Sequence, residues 1–336
     1  MPDFLHILGS ATAQGTHSGH ARAMQPEQIP NRVQRRPDLL AAGITEDDIQ
    51  RRRRLGNLVS VRAGRYMAPA DLARLDASQR HRLLIMTAAP DLPDDAAFSH
   101  ASAACLLGLP TWNLDMRTVQ VTRPGTGGGH RRRSLHTRFA RLEPDEVTVM
   151  HGVRVTTAAR TIVDLGRSVP FESAVVCADA ALHAGLVTVG MLHTASARAT
   201  GIPRVGRARR VIAFADARSE SVGESRSRVA IARAGLPKPD LQVEVCAPDG
   251  TLVGRTDFGW REHRTLGEFD GVVKYGRLLR PGQHPGDAVF EEKCREDRIR
   301  DEGWAVVRWI WPELDARGSA IARIGRALGR FPDARR

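Results

Sequence analysis

Residues 255–275 read RTDFGWREHRTLGEFDGVVKY, and the reading of this stretch decides what the C-terminal third of the chain is. The runs TLVGRTDFGW and RTLGEFDGVV are rich in strand formers, and REHR between them holds no apolar residue. That pattern predicts a β-hairpin. With Arg261 to Arg264 as the connector, Trp260 opposes Thr265, Phe258 opposes Gly267 and Asp257 opposes Glu268. Opposed residues share a sheet face at roughly 5 Å, so two carboxylates fall side by side. Asp270 lies two positions beyond Glu268 and joins that face, where the same register sets Arg255 against it. Opposed like charges destabilise a sheet and call for a cation. One candidate is an arginine, Arg255 on Asp270 or another on Asp257. The other is a divalent metal, because carboxylate oxygens are the ligands Mg²⁺ takes.

Working outward, ESVGESRSRVAIARAGL reads as a helix and LQVEVCAP as a strand before the hairpin. After it come a charged helix, GDAVFEEKCREDRIRDEG, a buried strand in WAVVRWIWPEL, and a last helix, GSAIARIGRALGRF. The order predicts an α/β core with a three-stranded antiparallel part and a crossover to one more strand. The domain spans 217–336 and follows an Arg- and Ala-rich linker or connecting helix at 198–216.

At the other end, Thr45 followed by Asp48 is a variant capping box that starts a helix. This helix turns Ile49 and Leu55 inward, stops before Gly56, and carries Arg51, Arg52, Arg53 and Arg54 in a row. The segment LLAAGI before it ends a shorter helix at Gly43, and LVSVR and RYMAP flank a tight turn at Ala63-Gly64. Helix, turn, helix, hairpin is the order of a winged helix-turn-helix, placed at 35–85. In such a domain the second helix enters the DNA major groove and wing arginines, here Arg62 and Arg65, touch phosphates; Thr45 at the helix start belongs to the same surface. The alternative is a solvated charged helix on a stabilising module.

The chain has 336 residues, 50 Lys and Arg against 38 Asp and Glu, net charge +12 and a pI near 10.8. The excess favours a polyanionic partner, double-stranded DNA first, although an arginine-rich proteome accounts for part of it. No run of about 18 apolar residues marks a membrane span. Cys105, Cys177, Cys246 and Cys294 are scattered without a CxxC pair, which excludes zinc-ribbon spacing and points to reduced thiols in a cytoplasm. Residues 1–34 read as a mobile tail without a signal peptide, with Met24 as an alternative start; His6, His17 and His20 in it read as solvated. A middle domain at 86–197 holds AFSHASAACLLGLP as a helix, MRTVQVTRP as a strand, GTGGGHRRR as a loop and VRVTTAARTIVDLGRS as a strand running into a threonine-capped helix. The loop lacks the Gly-Lys-Ser/Thr ending of a phosphate-binding loop; Arg131 to Arg133 could add phosphate contacts or simply be solvated. Ser99-His100 is not expected to be part of a triad, because chain neighbours point apart and no third member is evident. The fold class expected for the whole is α+β multidomain: winged helix-turn-helix, α/β middle domain and C-terminal α/β core.

Two resemblances support this division. AGITEDDIQRRRRLGNLVSVRAGRYM, SHASAACLLGLP and GVRVTTAARTIVDL in the first 195 residues resemble actinobacterial proteins with the N-terminal domain of type IV abortive-infection antitoxins. ESRSR, TDFGW, EFDG and DRIRDEGWAVVRW in residues 219–315 resemble the very-short-patch-repair-like endonuclease branch of the PD-(D/E)xK nuclease superfamily. The second resemblance implies a restriction-endonuclease-like α/β core with Mg²⁺ held by Asp257 and Glu268, and with Glu224 matching the acidic residue that some relatives place on the opening helix. It also exposes departures. Asp270 stands where the superfamily has its lysine, and Lys274 stands where the repair-like branch has a histidine. Lys274 either supplies positive charge to the reaction or is an exposed lysine in a protein that binds DNA without cutting. The first resemblance implies a transcriptional regulator with a protein toxin as partner, its third domain a structural relic or the means to a homodimer. A plain protein-interaction module is the third reading.

Overall fold

The computed structural model describes residues 32–132, 134–271, 285–315 and 319–329. Expectations for the tail up to residue 31, for Arg133 and for Lys274 fall outside the described residues. The chain is a mixed α/β protein that divides into two compact units: 1–173 with 187–212, and 174–186 with 213–336.

The first unit opens with β1 (Gln34–Arg35), α1 (Arg36–Ala41) and α2 (Glu46–Arg54), then the hairpin β2 (Val59–Arg62) and β3 (Arg65–Met67), in a sheet ordered β1–β3–β2. The capping box is present: the Asp48 N–H donates to Thr45 Oγ1 at 3.2 Å, and the Asp48 side chain accepts from the Thr45 backbone. Leu39, Ile49, Leu58 and Tyr66 pack together beneath α2. Leu55 does not join them. It is the residue that ends α2, before Gly56 at φ +72°, and is 68% exposed; the left-handed turn carries the chain on so that Leu58 fills the inward place.

Next come α3 (Pro69–Ala73), α4 (Ala77–Ala88), β4 (Ala97–Phe98), α5 (His100–Leu106), β5 (Val119–Pro124), β6 (His130–Arg132), β7 (Leu135–Ala140), β8 (Val147–Met150), β9 (Val153–Thr156) and α6 (Ala158–Ser168). The strands form a sheet ordered β6–β7–β5–β4–β9–β8. The segment expected to be a loop includes β6, because His130 to Arg132 pair antiparallel with Leu135 to Thr137. Thr157 caps α6 as expected. Buried polar groups here are satisfied in pairs: Arg160 reaches Glu146 at 2.7 Å and Asp164 at 3.0 Å, as burial of charge requires. Ser99 and His100 do touch, contrary to expectation. His100 has φ 54°, and this left-handed turn brings its Nδ1 to 2.9 Å from Ser99 Oγ. Burial holds the imidazole at a pKa of about 3, so it stays neutral within the core. After α7 (Phe171–His183), which runs from the first unit into the second, α8 (Val189–Arg198) and α9 (Val205–Phe214) complete the helices ahead of the C-terminal region. The stretch read as a linker or connecting helix is thus largely helical.

The second unit holds α10 (Val222–Arg233), β10 (Asp240–Cys246), β11 (Leu252–Trp260), β12 (Thr265–Phe269), α11 (Pro285–Asp301), β13 (Ala305–Trp309), α12 (Trp311–Asp315) and α13 (Ser319–Gly329). The sheet order is β10–β11–β12–β13, antiparallel up to β12 and parallel between β12 and β13. Two apolar groups cover its faces. Phe258, Trp260, Phe269, Val307 and Trp309 pack with Ile231 of α10 and Ile324 and Leu328 of α13. Leu266, Val243 and Val245 pack with Ile299 of α11. The first turn of α10 lies so close to the sheet that a Cβ on Gly223 would fall 1.9 Å from the Phe269 ring. Gly223→Ala is therefore expected to lower stability by about 1–3 kcal/mol through overpacking, seen as an earlier thermal unfolding midpoint, whereas Gly206→Ala, where a Cβ meets nothing within 4 Å, is not.

Candidate functional site

The hairpin register is the one read from the sequence for three pairs: Trp260 with Thr265, Gly259 with Leu266 and Phe258 with Gly267. Since Phe269 faces the α10 and α13 side, alternation turns Glu268 to the opposite face. The ladder stops at Phe258–Gly267, and Asp257 explains why. Its Oδ2 accepts the Phe269 N–H at 2.8 Å, taking the donor that a continued ladder would need. Asp270 lies past the end of β12, and its N–H donates to Trp309 O at 2.8 Å. Arg255 does not meet Asp270; it pairs with Glu220 at 3.1 Å. Asp270 Oδ1 is buried and has no hydrogen-bond partner among the described residues.

Glu224 enters from the first turn of α10, which Ser221 caps. Its Oε2 accepts the Glu220 N–H at 2.9 Å and Gln242 Nε2 at 2.9 Å. Gln242 stands between the paired positions Leu241–Phe258 and Val243–Thr256, hence across from Asp257. It has φ 54°, a left-handed kink that lets Leu241 and Val243 serve opposite apolar groups. Burial, and after it the Asp257 charge, push the Glu224 carboxyl up to a pKa of about 7. A helix and a strand thus bring two of the expected acids within electrostatic reach of each other.

Glu268 has different company. Its Oε1 accepts Arg295 NH2 of α11 at 2.6 Å and its Oε2 faces Arg308 Nε of β13 at 2.8 Å. The parallel register sets Glu268 directly against Arg308. Arginine is therefore one cation at this acid, though neither is an arginine the hairpin alone suggested. Arg295, Arg308 and Gln242 are site residues that sequence reasoning missed. Arg308 alternates with Val307 and Trp309, but its partner depends on a crossover whose length sets no register.

Among the described residues no group of three or more His, Cys, Asp or Glu side chains is arranged to hold a metal ion. Mg²⁺ does not need one, since it commonly binds through one or two carboxylates and completes its shell with waters and substrate phosphates. The oxygen-only donors Asp257 and Glu268, with the unpartnered buried Oδ1 of Asp270, match that chemistry.

At the basic end of the first unit, Arg51 to Arg54 are exposed. Arg51 pairs with Asp48 at 2.7 Å, and Arg53 bonds Gln50 and lies over the Tyr66 ring. The side chains of Arg52 and Arg54 have no hydrogen bond or ion pair with any described residue. The arginines of the β2–β3 hairpin are less available: Arg65 and Arg62 both hold Asp91, at 3.0 and 3.4 Å. Thr45 spends its hydroxyl on the α2 cap.

No protein-family model matches the chain. The uncharacterized proteins MT2308 and Rv2248, from two strains of Mycobacterium tuberculosis, are each 29% identical to it over 181 residues, 53% of this chain. The chain spans 63% of the length of those relatives. The crystal structure of the RV2827C protein from Mycobacterium tuberculosis aligns over 66% of this chain and 87% of that one, at 17% identity and a TM-score of 0.36, too low to bear on fold or function. No helix among the described residues is long and apolar enough to cross a membrane.

The Glu224 pKa has a measurable consequence. The folded state holds the proton up to about pH 7, whereas the unfolded chain releases it near 4.5. Between these values the native state binds more protons, so stability falls as pH rises. A shift of this size corresponds to about 3 kcal/mol once ionisation is complete. Glu224→Gln is expected to match the wild type below pH 4 and to exceed it in unfolding free energy at pH 8. Denaturant titrations at the two pH values check this, and equal differences at both would assign the pKa shift elsewhere.

Proposed function

We propose that the chain is a cytoplasmic DNA-binding protein whose second unit hydrolyses DNA phosphodiesters with a divalent metal. The observation that carries this reading is the buried Glu224 carboxyl of α10 held within electrostatic reach of Asp257 on β11, with Glu268 on the neighbouring strand β12, in a chain of net charge +12. Two acids held against each other at a buried position raise the free energy of the apo protein, and a bound cation relieves it. Asp257 and Glu268 would hold the metal, which supplies a water of lowered pKa and polarises the phosphate. Glu224 would take a proton near neutrality, as its pKa of about 7 allows. Asp270, one residue beyond β12, would orient the bound water through its buried Oδ1. Lys274, outside the described residues, would supply positive charge to the reaction.

The first unit would deliver this domain to duplex DNA as a winged helix-turn-helix. Its phosphate contacts fall to Arg52 and Arg54 before Arg62 and Arg65, which Asp91 already holds. A second reading is favoured by the arginines on Glu268: a carboxylate neutralised by two guanidinium groups suits an antitoxin-like regulator that binds DNA, partners a toxin or a second copy, and does not cut.

Two experiments test the proposal. Purified protein is expected to nick or cut duplex DNA with Mg²⁺ or Mn²⁺ and to stop with EDTA. Asp257→Asn and Glu268→Gln should each remove cutting while DNA affinity stays or improves. Tight binding without cutting under either metal would leave the regulator standing. Separately, Arg52→Ala with Arg54→Ala should weaken DNA binding and flatten the salt dependence, by about 0.9 in log–log slope for each phosphate that an arginine no longer neutralises. An unchanged slope would mean that α2 does not face DNA.

A further inference from the structure

The two arginines on Glu268 have a geometry that an inert structural pair does not need. Each oxygen of one carboxylate lies against a guanidinium from a different element: Arg295 of α11 donates to Oε1, and Arg308 of β13 forms an ion pair with Oε2. Arg308 NH2 also reaches Glu296 at 3.3 Å, and Arg295 NH1 lies 3.4 Å from Arg255 O. Their side chains are 22% and 28% exposed, against 5% for Arg160 in the sealed pair of the first unit. Arg295 and Arg308 thus reach solvent in a way that Arg160 does not.

We infer that Arg295 and Arg308 are positioning residues that keep Glu268 closed to metal until a DNA phosphate arrives. This rests on the metal-site reading above. A cation approaching Glu268 finds both oxygens engaged and two fixed positive charges beside them. Arginine does not deprotonate in proteins, so the obstruction cannot titrate away. A phosphodiester offers the guanidinium fork an anionic acceptor of matching shape. As phosphate draws the arginines off, Glu268 is freed for the metal, and the same arginines then face the oxygens on which negative charge develops. Linkage makes the effect reciprocal: DNA tightens metal binding and metal tightens DNA binding by the same factor.

Metal binding in the absence of catalysis tests this. The free Mn²⁺ signal in electron paramagnetic resonance is followed with the full-length protein and no DNA. Wild type is expected to bind weakly. Arg295→Gln and Arg308→Gln are each expected to bind Mn²⁺ about tenfold more tightly, within the usual range of coupling, and Glu268→Gln added to either should cancel the gain. Arg308→Lys, which keeps the charge and loses the fork, should gain less, and circular dichroism confirms that each variant is folded. Should wild type bind Mn²⁺ without DNA as tightly as the arginine variants, with Asp257→Asn abolishing it, the metal site stands and the gating role falls. Should no variant and no wild-type sample bind Mn²⁺ with or without a short duplex, the metal-site reading fails and the gating role fails with it.

Discussion

The contact between Gly223 and the Phe269 ring is the constraint on which the second unit depends. A helix normally keeps about 10 Å from a sheet because side chains separate them. At Gly223 nothing intervenes, and the ring occupies the space a Cβ would take. The first turn of α10 therefore lies on the end of β12. Further along, Trp309 Nε1 donates to Ser227 Oγ at 2.8 Å, fixing the helix to β13. Arg228 pairs with Asp179 of α7 at 2.6 Å and donates to Phe214 O. With the helix held at three places, Glu224 has little freedom to move away from Asp257.

That immobility has an electrostatic cost concentrated at one residue. Glu224 is buried near another acid, and its two hydrogen bonds to Oε2 do not fully offset this, so its carboxyl stays protonated to about pH 7. A buried acid held beside a second acid, with its pKa pushed toward neutrality, is a common mark of function. In the first unit the buried acids Glu146 and Asp164 have Arg160 between them, the arrangement expected where charge is only structural. The contrast separates the two units more sharply than their secondary structure does.

Glu268 occupies an intermediate position. Its pairing with Arg295 and Arg308 neutralises it as a structural bridge would, yet the pair is partly open to solvent. Removing one partner of such a pair leaves an uncompensated charge, which is also what a cation site requires. The geometry thus gives Glu268 two guanidinium partners without sealing them from solvent.

The sequence by itself determined the local features. The hairpin register followed from period-two alternation and a polar connector, and three of its pairs are found as read. The Thr45–Asp48 capping box followed from spacing alone. These features depend on residues a few positions apart, where chain geometry leaves few options. Only the tertiary structure decided the rest. Arg308 meets Glu268 because a crossover of more than thirty residues returns β13 in one parallel register, and no local rule sets that register. Arg62 and Arg65 meet Asp91 only after α3 and α4 have turned the chain back on the hairpin. Ser99 and His100 touch, and Gln242 faces Glu224, because single residues adopt left-handed φ. Those conformations are costly for residues other than glycine and persist only when packing from distant parts of the chain holds them, which a reading of neighbours cannot supply.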